Sequence, residues 1–474
     1  MRFSLFLCTC LSILLPLSVQ AGDFEDHFTG HTLRFDYVHA GTANEEHIAL
    51  DGLRLEGDWP GSRTQLQDHT GMGKYRFELV EVSSQRTLYS RGFSSIYGEW
   101  ETIGEARRGN WRSFHESQRF PEPRESCQLV LKKRKDDGSF GEIFAQVFDP
   151  ASRFVDRSPL DAPGEVWSVF ESGQPATKVD LLVLGDGYSA KDRDKYHRDI
   201  ERLVGILFET EPFRSRKREF NVWAIDIASP RSGIANPRAE QWFHTPLGLR
   251  FNAFDSERYV LSSENRVIRE FAALAPYDAI MMVGNTRKYG GGGIFNLYAT
   301  VASDTAPSAY VFVHEFGHSF AGLADEYYTS SVSYEDFVAP GTEPWEPNIT
   351  ALLDPENLKW KKFAMDSTPI PTPWNQDRYD EVSYEYQAKR QKLRAAGAPD
   401  EEVEKLFAEV KRVTQPMLES EEYFGEVGAF EGGGYQAKGL YRPEADCIMF
   451  TRNPTSFCKV CTASIERVID LYAK

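Results

Sequence analysis

Two histidines stand four residues apart with a glutamate beside the first: His314-Glu315-Phe316-Gly317-His318. On an α-helix, residues i and i+4 share a face, so both imidazoles point at one spot. Neutral imidazole is a good ligand for Zn²⁺. Glu315 is placed to reach a zinc-bound water rather than the metal. Zinc lowers the pKa of that water to about 7, and the carboxylate takes its proton as general base. Val311, Val313, Phe316 and Phe320 make the surrounding helix strongly apolar, which predicts a buried and rigid support. Three polar groups together on such a helix are costly unless they bind something.

The run continues through Ala321-Gly322-Leu323-Ala324-Asp325-Glu326-Tyr327-Tyr328. In metzincin metallopeptidases a glycine turns the chain back toward the metal, and three residues on a His or Asp becomes the third ligand. Gly322-x-x-Asp325 has that spacing, displaced by one residue. Asp325 is therefore the expected third ligand, with Glu326 the alternative; a role for Asp325 in orienting a histidine also stays open. Asp446-Cys447-Ile448-Met449-Phe450 resembles the metzincin Met-turn, in which Met449 forms a hydrophobic floor under the metal. Thr451 stands where some metzincins carry a metal-contacting tyrosine. Tyr435 and Tyr441, in a glycine-rich loop nearby, are candidates to hydrogen-bond the tetrahedral oxyanion.

Several kinds of element must position these groups. From Phe24 to about Val147 short segments alternate polar and apolar residues, as in Lys74–Val80 and Gln128–Lys133. Period two with β-branched and aromatic residues predicts antiparallel strands, here an all-β, sandwich-like module over residues 22–150. Asp136-Asp137-Gly138 is a hairpin signal. Residues 151–177, with Pro159, Pro163 and Pro175, read as a linker or extended crossing segment. From Lys178 the grammar changes. Val179–Leu184, Phe220–Ile227 and Asp278–Val283 are nearly continuous apolar runs, as in strands buried on both faces. Helical stripes lie between them, which predicts an α/β layer with a largely parallel, mixed sheet. Gly290–Gly293 leads into Ile294–Val301, expected to be a strand at the sheet edge along which substrate backbone pairs. Residues 329–420 read as a charged helical insertion, with helices at about Asp377–Ala396 and Asp400–Val413.

Taken together, these stretches resemble the IgA peptidase M64 family of metalloendopeptidases. The matching segments are Leu184–Tyr188, Phe220–Ala224, Tyr289–Ile294, His314–Tyr328, Val427–Gly432, Gly439–Pro443, and the Cys447-Ile448-Met449 and Phe457-Cys458-x-x-Cys461 pair. The resemblance covers about residues 178–474 and implies a zinc-dependent, metzincin-like endopeptidase preceded by a β-rich domain. Its cofactor would be Zn²⁺ and its partner a protein or peptide substrate. A degenerate peptidase serving as an extracellular glycan- or protein-binding module is the alternative, and an exported aminopeptidase a third reading.

Composition bounds the rest. The chain has 474 residues, a net charge of −17 and 26% charged residues. Such acidity argues against a nucleic-acid partner, because phosphate contacts need clustered Lys and Arg. Residues 1–21 have a short basic start, an apolar run and a small residue at the end, as in a secretory signal peptide cleaved after Ala21. The mature chain is then secreted or periplasmic, with no stable membrane insertion. Cys127, Cys447, Cys458 and Cys461 remain. The last three suit a disulfide or part of a zinc knuckle, and export together with the lack of a fourth nearby ligand favours the disulfide. Asn348-Ile349-Thr350 is a glycosylation sequon only in a host that glycosylates it.

Overall fold

The computed structural model describes residues 23–329, 337–339, 341–453 and 456–473. The segment read as a signal peptide lies outside them. In the first part, α1 (Asp23–His27) leads into β1 (Phe28–Gly41), β2 (Glu46–Asp58), β3 (Tyr75–Glu81) and β4 (Thr87–Phe93). Two short helices follow, α2 (Ile96–Trp100) and α3 (Gly104–Arg107), then β5 (Arg112–Pro123), β6 (Cys127–Arg134), β7 (Phe140–Phe148) and β8 (Val155–Asp156). They build two four-stranded sheets, ordered β5-β1-β2-β8 and β4-β3-β6-β7.

Burial along β3 alternates residue by residue, as a strand with one wet face requires. Its inward Tyr75, Phe77 and Leu79 share one core with Leu33, Phe35 and Tyr37 of β1, so the sheets face each other as a sandwich. Gly138, at φ +81°, closes the expected β6–β7 hairpin.

The second part comprises β9 (Glu165–Phe170), β10 (Val179–Asp186), α4 (Arg193–Leu207), β11 (Phe220–Asp226), α5 (Asn265–Ala272) and β12 (Ala279–Gly284). It continues with β13 (Gly291–Ile294), β14 (Tyr298–Ala302), α6 (Ser308–Ala321), α7 (Gln376–Ala395), α8 (Asp400–Glu419), β15 (Phe430–Gly433), β16 (Gln436–Arg442) and α9 (Lys459–Tyr472). The main sheet has the order β13-β14-β12-β10-β11-β9. β10 runs parallel to β11 and β12, and β12 parallel to β14, while the outer strands β9 and β13 are antiparallel. The sheet is therefore mixed.

Every residue of β10 is buried, because helices and loops cover both faces. Leu181 and Val183 meet α4, α6 and α9 through residues such as Leu203, Phe316 and Ile465. Leu182 and Leu184 meet α5 and the 247–261 loop on the other face. The stretch 151–177 contributes β8 and β9 to these sheets. α7 packs against α8, and α8 runs past Val413 and through Pro416 to Glu419, with Leu418 of that added turn buried in the core.

One expectation is corrected. Ile294–Val301 is not a single edge strand. Ile294 ends β13, Asn296 turns the chain at φ +54°, and β14 lies inside the sheet. The glycines themselves form the edge, because α6 presses on them. A Cβ on Gly293 would lie 2.5 Å from the Glu315 carbonyl oxygen, and one on Gly291 would lie 2.8 Å from Val311. Nor is that edge open to a substrate strand along its length. Gly291 N–H already donates to Arg258 O at 3.2 Å, and its carbonyl accepts from Val260 N at 3.1 Å.

Candidate active site

α6 carries His314 and His318 one turn apart, and their Nε2 atoms approach to 3.1 Å. Gly322 ends the helix in the left-handed region at φ +61°, its N–H donating to His318 O at 3.0 Å. This conformation is open to glycine at little cost. The chain then doubles back. His318 Nδ1 donates to Leu323 O at 2.5 Å, and Asp325 arrives over the imidazoles. Its Oδ1 lies 2.9 Å from His314 Nε2 and 3.3 Å from His318 Nε2.

The hydrogen bonds fix the tautomers. A carbonyl oxygen only accepts, so His318 Nδ1 carries its proton toward Leu323 O. His314 Nδ1 carries its own toward Ile448 O at 3.1 Å. Neutral imidazoles then turn both Nε2 lone pairs to one point. Asp325 Oδ1 at that point is buried and accepts no hydrogen bond. With both imidazoles neutral, three acceptor atoms converge within 4.8 Å of one another. Such an arrangement needs a proton or a cation between its acceptors, and the donor set suits a divalent cation.

Charges follow the same geometry. Burial would raise the Asp325 carboxyl, but the facing His318 and His314 draw it far below the ordinary carboxylate range. Burial works against protonation of His318, yet the Asp325 charge lifts it to about 9. This metal-free pairing holds a proton that a dication would displace. Glu315, partly buried, is raised by desolvation, with both histidines pulling the other way. Its Oε1 faces Gly291, where a Cβ would come within 3.1 Å.

A second set of contacts locks the cluster. Tyr310, one turn before His314, donates its hydroxyl to Ile448 O at 3.1 Å. Met449 is fully buried, and a Cβ on Gly317 would sit 3.3 Å from its sulfur. Its carbonyl accepts from Glu326 N at 2.9 Å. The turn at 447–450 thus touches both the histidine helix and the returning chain. Tyr435 reaches the cluster by donating its hydroxyl to Asp325 Oδ2. Tyr441 sits in β16 opposite Glu431, its backbone paired with Thr350, so the fold does not bring it to the imidazoles.

Glu326 turns away from the histidines. Its Oε1 accepts from Asn348 Nδ2 at 2.9 Å and lies 3.2 Å from Cys461 Sγ. Asn348, the sequon asparagine, is fully buried and also clamps both backbone groups of Ala324. Sequence reading missed Tyr310 and Asn348 as positioning residues. The i−4 spacing of Tyr310 from His314 was a usable signal; nothing local pointed to Asn348. The four cysteines are free thiols, which overturns the expected disulfide.

A cleft opens beside the cluster, lined by Tyr310, Tyr327 and Arg258 and by Tyr386, Arg390 and Phe407 of α7 and α8. No helix among the described residues is long and apolar enough to cross a membrane. The family model described as IgA Peptidase M64 matches residues 168–469, and the one described as Peptidase M64 N-terminus matches residues 23–145. No curated protein matches the chain.

Proposed function

The chain belongs to the IgA peptidase M64 family and is a peptidase, and from that premise we propose an exported, zinc-dependent endopeptidase of metzincin-like build. His314, His318 and Asp325 hold the metal and Glu315 is the general base. One observation carries this reading: two Nε2 lone pairs and an unpartnered, buried carboxylate oxygen meet at one point. Two imidazoles and a carboxylate are a zinc donor set.

When bound, zinc supplies a Lewis acid for the scissile carbonyl and a lowered pKa for the attacking water. The protein's own groups do the rest. Glu315, its pKa raised by burial, takes the water's proton and later gives it to the leaving amine. Tyr435 holds Asp325 in register through its hydroxyl, so oxyanion donation is assigned to neither Tyr435 nor Tyr441. The cleft between the cluster and the α7–α8 pair takes the peptide, and that helical pair shapes substrate choice. The N-terminal apolar segment supports export.

Mass-spectrometric mapping of products from a protein substrate tests the proposal. Internal fragments that vanish with chelator and in Glu315→Gln support it. Release of single residues would point to an aminopeptidase, and cleavage that survives Glu315→Gln overturns the mechanism.

A further inference from the structure

We propose that Glu326, Cys447, Cys458 and Cys461 form a second metal site, a closed tetrahedral zinc centre with a structural role. All four residues are buried, and one donor atom from each lies within 4.8 Å of all the others. Cys447 Sγ and Cys461 Sγ are 3.9 Å apart. Four ligands at the Zn–S distance of about 2.3 Å span tetrahedral edges of about 3.8 Å, whereas a disulfide needs about 2.05 Å. The spacing is that of co-ligands.

The carboxylate supplies an independent observation. Glu326 is fully buried, and its Oε2 has no hydrogen-bond partner. A carboxylate buried beside three thiols with one oxygen unpartnered is unfavourable unless it takes up a proton or a cation turns the four groups into ligands.

The local backbone is arranged for thiolates. Cys458 caps the N-terminus of α9, its Sγ accepting from Cys461 N at 3.5 Å. Cys447 Sγ accepts from Cys458 N at 3.3 Å. At the helix N-terminus the backbone amide and the helix dipole favour negative sulfur on Cys458. Arg442, fully buried and donating to Ala445 O at 3.3 Å, brings a positive charge to bear on Glu326. Four protein ligands leave no open coordination position, which makes the site structural rather than catalytic.

The site joins three segments. Glu326 follows Asp325, Cys447 precedes the Ile448 carbonyl that holds His314, and Cys458 and Cys461 anchor α9. It is a staple behind the catalytic cluster.

The test reads metal content and absorbance in the full chain, so it does not depend on peptidase activity. Wild type purified under reducing conditions should hold two zinc equivalents, and His314→Ala/His318→Ala should hold one. Cobalt exchange should give thiolate-to-cobalt charge-transfer absorption in both proteins. Cys458→Ser/Cys461→Ser should lose one equivalent and that absorption. Should this variant fail to fold, Glu326→Gln, which keeps the side-chain volume, should release its second equivalent to chelator faster than wild type. A cysteine disulfide found by intact mass, or a histidine variant that binds no zinc and gives no thiolate absorption with cobalt, overturns the proposal.

Discussion

Asp325 and Glu326 are adjacent acids on the chain returning from α6, and they meet different partners. Asp325 faces two imidazoles beside a cleft, and its outer oxygen is gripped by Tyr435. Glu326 faces three thiols in the interior, held by Asn348. A single step along the chain therefore separates the two environments. In the proposed assignment the first cluster offers three protein ligands beside a cleft. The second would offer four, all buried. Three ligands with an open position suit catalysis, and four closed ones suit structure.

The largest effect should come from Glu315→Gln. Activity should fall by about 10²–10⁴-fold, the usual contribution of a general base, with metal content unchanged; peptide-cleavage kinetics and metal analysis on one sample check this. A loss of metal would mean that Glu315 belongs to the ligand set. Tyr435→Phe removes the donor on Asp325 and should cost about 10–100-fold in metal affinity or activity, read by chelator competition, while the thiol cluster keeps its metal. Asn348→Ala touches both clusters. It strands the Glu326 carboxylate and the Ala324 backbone, and should lower stability by about 1–3 kcal/mol in denaturant unfolding. If only one cluster responds, the shared clamp is wrong.

Gly293→Ala probes the support under the first cluster. Its Cβ would press on the Glu315 backbone, at a cost of about 1–3 kcal/mol for overpacking, seen as a lower melting temperature. The smallest effect concerns a histidine of the opposite kind. Burial opposes charge on His39, but Glu116 and Glu46, at 2.9 and 2.8 Å, lift its pKa from 6.5 to about 9. Both its nitrogens meet carboxylates, so it is held as an imidazolium. The folded pKa lies above the unfolded one, so its stabilisation is complete below pH 6.5 and is lost as pH rises through about 9. Melting temperature should fall over that window in wild type and less steeply in His39→Gln, with activity at neutral pH unchanged.

Much of this was legible along the chain. The i, i+4 histidines, the glycine after them and the buried strand runs are local patterns, and the helix cap at Gly322 follows from them. The edge-strand reading failed for a steric reason: the approach of α6 selects glycine on β13, and a one-dimensional pattern of apolar residues does not record what lies above a strand. The disulfide reading failed because Cys447 and Cys461 lie 3.9 Å apart at sulfur, and the acid that joins their cluster, Glu326, is far away in sequence. The sequon at Asn348 carries no information about burial, and the fold buries that side chain completely.

The sequence by itself determined the chemistry available: a histidine pair with its glutamate, a returning acid, a methionine turn and a knot of cysteines. Helical and strand periodicity place such groups on faces, and that information is local. Only the tertiary structure decided which acid goes with which partners. Asp325 and Glu326 differ by one position, and their assignment rests on the Leu323, Ile448 and Met449 carbonyls and the Asn348 amide, contacts spread over more than a hundred residues. Hydrogen bonds of that range form only when the whole core closes, because loop closure and packing, rather than local propensity, bring their ends together.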